Sequence, residues 1–292
     1  MNKADRYFID ISKRLIEEGI NEKDISKDVR PRWSDGKAAY TLFIPQIITE
    51  YERGEVPLTS IRRIYWESGL KEILWIYRDK SNDVNLFSEK YGVNYWDKWK
   101  NEDGSLGTSY GYQIAKKFIS PESKELTDQI DRLIYNIKNN PLNRRHFTSL
   151  IDFTDLHKMT LIPCAFMTMW TVEDGYLDLS LIQRSGDFLA AASPGGINEI
   201  QYYLLLLIIA KETSLKPGRF VHFTQNLHIY DRHIEILKEI ISDENIEILK
   251  ENKSNPRFSI KNDKGFYDLE LDDFVLEGYK PILKKYNIEI AE

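Results

Sequence analysis

The chain has 292 residues, 42% of them hydrophobic and 29% charged, a balance that excludes global disorder and allows one large domain or two average ones. Forty Lys and Arg against 46 Asp and Glu leave a net charge of −6, which argues against general nucleic-acid binding but permits a small anionic ligand held by a few clustered arginines. The single cysteine, Cys164, excludes an intramolecular disulfide and a cysteine-rich metal site.

The opening MNKADRYFIDISKRL has no apolar core and no cleavage site, so no secretory signal is visible. Phe8, Ile11, Leu15 and Ile16 instead share a helical stripe that stops at Gly19. Residues 39–44 read as a strand ending at Pro45, and 60–77 as a helix with Ile61, Ile64, Tyr65, Ile73, Leu74 and Ile76 inside. Residues 82–103 read as a loop holding Trp96 and Trp99. An amphipathic helix is expected over 122–139, with Leu126, Ile130, Leu133, Ile134 and Ile137 on its inner face.

Residues 146–151, 164–172 and 176–182 read as strands, the last two joined into a hairpin by Glu173-Asp174-Gly175. Residues 198–211 read as a buried helix, 220–223 as a strand and 232–241 as a helix. The most apolar run, 202–210, is far short of the ~20 residues that span a bilayer. Strands and helices come in blocks and no linker or repeat interrupts them, so the expectation is one α+β domain over 1–292. A cytosolic soluble protein is the simplest setting.

Cys164 follows a proline in LIPCAFMTMW, where a lone cysteine serves either as a small buried hydrophobe or, beside positive charge, as a thiolate nucleophile. The hairpin could bring Arg184, in LIQRSGD, close to it. Arg30, the pair Arg144-Arg145, Arg184 and the Ser185 hydroxyl could together cradle a phosphate dianion. Glu72, in KEILWIY, is a carboxylate among apolar neighbours, either a helix-end partner or a poised acid/base. His222, His228 and His233 have neither helical-pair nor finger spacing, so no metal site is expected.

Taken jointly, Arg30 in DVRPRWSDG, Glu72, Trp96-Asp97-Lys98-Trp99, Leu106 to Gly111 in LGTSYG, Arg144-Arg145, Pro163-Cys164, Gln183-Arg184-Ser185 with Asp187, Asn198 and His228-Ile229-Tyr230 resemble the folate-dependent thymidylate synthases over nearly the whole chain. That resemblance implies a mixed sheet covered by helices and a sheet-mediated homodimer. It implies methylation of dUMP to dTMP, with 5,10-methylenetetrahydrofolate giving both the one-carbon unit and the hydride. By the same resemblance Cys164 adds to C6 of the pyrimidine, Glu72 moves protons through water, Tyr110 helps remove the C5 proton, and Arg184 supports the thiolate.

Arg30, Gln183, Arg184 and Ser185 would serve the nucleotide, and Arg144 and Arg145 would reach into the partner's site. Asn198 would read the O4/N3 edge of the base, His228 and Tyr230 the 3′-hydroxyl, and Trp96, Trp99 and Asp187 the folate. The family's pattern is altered in places. Ala165 stands where a His usually follows the nucleophile, and AAASPGGIN replaces a shorter turn, so that Pro194, Gly195 and Gly196 would build a different floor under the base. Gln225-Asn226-Leu227 precedes His228, Glu199 follows Asn198, and the tail is Ile290-Ala291-Glu292. These changes motivate an alternative, a pyrimidine-nucleotide 5-hydroxymethylase in which water replaces hydride and Glu199 takes part in reading the base. A nucleotide- or RNA-binding relative without catalysis fits less well, because Cys164, Arg184, Asn198, Glu72 and Tyr110 are all present.

Overall fold

The computed structural model describes residues 1–284 and 286–291, so the expected acidic end at Glu292 lies outside the described residues. Helix α1 (Lys3–Glu18) starts where Asn2 and Asp5 cap each other's backbone amides, and it buries Ala4, Phe8, Ile11 and Leu15. Strand β1 (Ile20–Asn21) pairs with β2 (Thr41–Tyr51), which does not end at Pro45 but runs through it. The strand tolerates this because β1 covers only Leu42 and Phe43, leaving that edge open where proline lacks a ladder donor.

Residues 60–64 are extended rather than helical, because their backbone is already engaged. The Asp5 carboxylate accepts from Ser60 N, and Ser60 O and Ile61 O accept from the amides of Ile282 and Leu283. Helix α2 (Trp66–Ile73) follows and continues into a π-helical turn, Leu74–Arg78, with all five residues buried. The expected loop at 82–103 contains helix α3 (Val84–Tyr91), capped by Asp83 and stopped by Gly92 in the left-handed region, and then a 3₁₀ turn, Tyr95–Trp99. Next come α4 (Gly111–Ala115), β3 (Phe118–Ile119) and β4 (Leu126–Thr127). The helix expected from 122 begins only at α5 (Gln129–Asn139), where Asp128 supplies the cap, and Leu126 is exposed on β4 rather than inside the helix.

Strand β5 (Phe147–Ser149) leads to the hairpin β6 (Ala165–Glu173) and β7 (Tyr176–Gln183), turned by Asp174 and Gly175, both at positive φ. Strand β8 (Gly186–Asp187) and a second π-helical turn, Phe188–Ala192, precede α6 (Ile197–Glu212). Strand β9 (Lys216–Tyr230) far exceeds the expected four residues, because β2 pairs along one edge and β7 and β8 along the other. A 3₁₀ turn, Asp231–His233, precedes α7 (Ile234–Ile240) where one helix was expected over 232–241, and α8 (Asp243–Glu251), β10 (Arg257–Ile260) and β11 (Phe274–Glu277) complete the elements.

The main sheet runs β1-β2-β9-β7-β6-β5, with β8 beside β9. Only the β7–β9 and β8–β9 pairs are parallel, so the fold is a mixed-sheet α+β domain as expected. Helix α6 covers one face with a run from Ile200 to Ala210 that is buried throughout, and each fully buried Leu or Ile contributes roughly 1.5–3 kcal/mol. Across the opposite face the register lines up Ile48, Phe223, Ile182 and Met167 in one row, and Val221, Ser180, Met169 and Phe147 in the next. Ile48, Met169 and Phe147 are exposed there.

Candidate active site

Between α2, the 3₁₀ turn at Tyr95–Trp99, the end of β7, the start of α6 and the chain's tail lies a cavity of about 550 Å³. Cys164 opens onto it from just before β6. The hairpin register pairs Ala165 with Gln183, which sets Arg184 beside Cys164, as the sequence suggested. Arg184 N donates to Cys164 O (2.9 Å), Nε to Pro163 O (3.1 Å) and Nη2 to Ile162 O (2.6 Å), so the guanidinium grips the segment that carries the sulfur. Burial pushes the Cys164 thiol above the ordinary cysteine range, Arg184 pulls it back and Asp187 pushes it further up.

Glu72, at the inner end of α2, accepts from the Tyr95 hydroxyl and from Trp96 Nε1 (3.3 Å). Burial nonetheless raises its carboxyl, while Tyr95, Gln201 and Trp96 hold it down. Tyr110 sits at φ +52°, ψ −114°, a backbone conformation that costs about 1–3 kcal/mol for a side-chain-bearing residue. It is held there because Gly111 packs directly on the Ser81 backbone and Trp96 meets the Tyr110 ring edge-on at 4.9 Å. Burial raises the Tyr110 hydroxyl well above its usual value.

Asp187 ends β8 and accepts from Ala190 N (3.1 Å), which starts the π-helical turn. Burial lifts its carboxyl to about 6, against the pull of the Ala190 and Leu189 amides and of Arg62. Asn198, in the first turn of α6, accepts at Oδ1 from Gln183 Nε2 (3.1 Å) and donates from Nδ2 to Gln201 Oε1 (3.1 Å). His228 Nδ1 donates to Asn226 Oδ1 (3.0 Å), and burial lowers the ring to about 4, so it is uncharged at neutral pH. Tyr230 meets His228 edge-on at 5.3 Å, and burial pushes its hydroxyl up to about 12, Asp187 adding to the shift and Arg30 opposing it.

The cavity wall thus brings together Cys164, Glu72, Tyr110, Trp96, Trp99, Gln183, Ser185, Asp187 and Asn198. Arg184, His228, Tyr230 and Arg30 are not in its lining: Arg184 adjoins Cys164, and the exposed Arg30 acts electrostatically on Tyr230. Arg144 and Arg145 do not reach it: both are exposed, and Arg145 borders a separate groove with Lys116, Arg132 and Phe147. Two expectations about the altered turn are corrected. Ala190 and Ala191 line the cavity, whereas Pro194, Gly195 and Gly196 are buried behind it; a Cβ on Gly195 would lie 2.3 Å from Thr59 N. Glu199 does not face the cavity at all; its carboxylate is buried on the other side of α6.

Sequence reasoning missed Arg62, Ser68, Gln201, Tyr286 and Ile288, all of which line the cavity beside Ile290 of the tail it had singled out. The tail is fastened by Ser34 N donating to Glu289 Oε1 (2.9 Å) and by Arg232, which pairs with Glu289 at 3.6 Å. The alternation of Ile288 and Ile290 about Glu289 in NIEIA was the available signal. Among the described residues no group of three His, Cys, Asp or Glu side chains converges as metal ligands. No helix among them is long and apolar enough to cross a membrane.

A family model described as thymidylate synthase matches residues 6–292. The chain is 38% identical over 282 residues to a thymidylate synthase of Bacillus mojavensis, covering 96% of each, and 36% identical over 301 residues to one of Streptococcus gordonii, covering all of both. Its fold superposes on the thermostable thymidylate synthase A from Bacillus subtilis with a TM-score of 0.87, at 35% identity and 99% coverage of each chain. These relatives all carry the synthase name, and none favours the hydroxymethylase reading.

Proposed function

Because the chain belongs to the thymidylate synthase family, we propose that it converts dUMP to dTMP with 5,10-methylenetetrahydrofolate as co-substrate. The observation that carries this reading is the convergence of Cys164, Glu72, Tyr110, Asp187 and Asn198 on one cavity. The Cys164 sulfur adds to C6 of the uracil, and C5 becomes nucleophilic enough to take up the one-carbon unit; the folate supplies that unit and then a hydride. Loss of the C5 proton expels the folate nitrogen from the one-carbon unit and leaves an exocyclic methylene; the folate's hydride reduces it to methyl, the sulfur leaves C6, and dihydrofolate is released.

Resting Cys164 is a thiol whose burial disfavours charge, so Arg184 is the group that makes the attack possible. Tyr110, fixed by its strained backbone and by Trp96, helps remove the C5 proton by passing its own hydroxyl proton toward Glu72 as it takes the one from C5. Asn198 faces the base edge, His228 and Tyr230 the sugar hydroxyl, and Arg30, Arg184, Gln183 and Ser185 the phosphate end. The cavity fits a flat pteridine, since Trp96, Trp99, Leu161, Ile288 and Ile290 give it apolar walls and Asp187 one carboxyl.

We place a second copy of the chain on the open sheet face, where Ile48, Met169 and Phe147 are exposed in the two rows. Arg144 and Arg145 would then act in the partner's site, which accounts for their distance from this one. The cytoplasm is the setting we assign. Incubation with dUMP and methylenetetrahydrofolate tests the function: a methyl-sized mass gain with stoichiometric dihydrofolate supports it, and a hydroxymethyl-sized gain without dihydrofolate overturns it.

A further inference from the structure

An asparagine amide is a two-way plug. With Oδ1 toward N3–H and Nδ2 toward O4 it matches uracil; flipped, it matches the 4-amino group and bare N3 of cytosine equally well. Asn198 therefore discriminates between the bases only if something fixes which end is which. We propose that His222, held by Glu199, is a specificity-determining positioning residue that, together with the Ser185 carbonyl, locks this flip through Gln183. The proposal rests on Asn198 reading the base, as argued above.

The polarity can be followed atom by atom. Ser185 O can only accept, so the end of Gln183 beside it (2.9 Å) is Nε2, and the same nitrogen donates to Asn198 Oδ1. Gln183 Oε1 consequently faces His222 Nε2 at 2.9 Å, and that nitrogen must carry the hydrogen; Thr224 Oγ1 lies 3.1 Å from it. The other ring nitrogen, Nδ1, faces Glu199 Oε1 at 3.3 Å. Glu199 is anchored in turn by the Thr49 hydroxyl, the Tyr51 hydroxyl (2.6 Å) and Gly195 N (2.5 Å).

Glu199, Gln183, His222, Thr49 and Tyr51 are all at most 3% exposed, so water cannot stand in for a missing partner. From the opposite side Gln201 takes the Asn198 amide hydrogen while its own amide stays beside Glu72. Glu199 thus serves base selection, but from behind the wall. The Gly195 amide it holds belongs to the lengthened turn, which assigns that turn a part in the same lock.

The test compares His222→Leu, which removes the donor to Gln183, with His222→Gln, whose amide can restore a donor at the Nε2 position. The readout is dUMP turnover and the strength of dCMP as a competitor, expressed as one ratio. Loss of the lock should lower the uracil-to-cytosine ratio by about tenfold in His222→Leu, the scale of one mispaired buried hydrogen bond, while His222→Gln stays close to the parent. If His222→Leu does not fold, the double variant Glu199→Gln/His222→Leu carries the same expectation: its one amide oxygen still accepts from Tyr51 and Gly195, while its amide nitrogen faces the Thr49 hydroxyl, which can turn to accept.

An equal ratio in the leucine and glutamine variants overturns the proposal, whatever both lose in melting temperature. Asn198→Asp in the parent separates the two readings. A shift of that variant toward dCMP with no effect at His222 leaves Asn198 as the reader and removes the lock. No shift at Asn198 removes the reader itself.

Discussion

Asp187 offers a perturbation whose sign and size follow from the site. Its carboxyl titrates near 6 in the folded chain because it is buried, against an ordinary value of 3.8. Below about pH 3 it is neutral folded and unfolded alike and carries no penalty, and near pH 4 the penalty is still only about 0.5 kcal/mol. As pH rises, the unfolded chain releases the proton first, so folding stability falls until about pH 6 and then levels off. Roughly two units at 1.36 kcal/mol each make that loss about 3 kcal/mol at pH 8, with about half of it present at pH 5.

Asp187→Asn keeps an oxygen to accept from Ala190 N, so the turn remains capped. The variant should stay within about 0.5 kcal/mol of the parent near pH 4 and exceed it by about 3 kcal/mol at pH 8. Urea unfolding at one protein concentration across pH 4, 5, 6 and 8 measures this directly. A stability gap that does not widen with pH, or a variant weaker than the parent at pH 8, would refute the reasoning. Turnover should fall while stability rises, since the ionisable group faces the cavity.

Other expectations are as direct. Because Cys164 is the only cysteine, alkylation by iodoacetamide reports it alone; the rate should keep rising above pH 9, and more steeply displaced in Arg184→Ala, whereas a plateau near neutrality would contradict the burial of the thiol. Arg184→Lys cannot hold the Pro163 and Ile162 carbonyls at once and should lower kcat/KM at least about tenfold; a nearly silent change would dismiss the guanidinium grip. Leu204→Ala, in the fully buried run of α6, should lose about 2–5 kcal/mol of unfolding free energy in the same urea assay. Ile288→Asp should raise KM for the folate more than for dUMP, and an equal rise in both would separate the tail from the apolar wall.

Much of the site was legible because local chemistry fixed it. Asp174-Gly175 sets the hairpin turn, the turn sets the register, and the register puts Arg184 beside Cys164. What stayed hidden depended on partners far away in sequence. Pro45 looked like a stop until an open edge made it harmless, and 60–64 looked helical until Asp5 and the tail engaged its backbone. Helix α3 was masked because VNLFSEKY has a weak apolar stripe and two flanking tryptophans that draw the eye to the loop. Glu199 was misread because nothing near it in sequence announces Thr49, Tyr51 and His222 as its neighbours.

The same long reach has a consequence for how the molecule assembles. Strand β9, which ends in His228 and Tyr230, is aligned against β2 by contacts about 190 residues apart, such as Thr41 with Tyr230. Loop closure of that span is slow compared with forming the β6–β7 hairpin that carries Cys164 and Arg184. On refolding, the sulfur and its arginine meet early and the end of the site that carries His228 and Tyr230 arrives late. Helical signal should therefore recover well before catalysis does, the interval covering both the docking of this strand and the pairing of two chains.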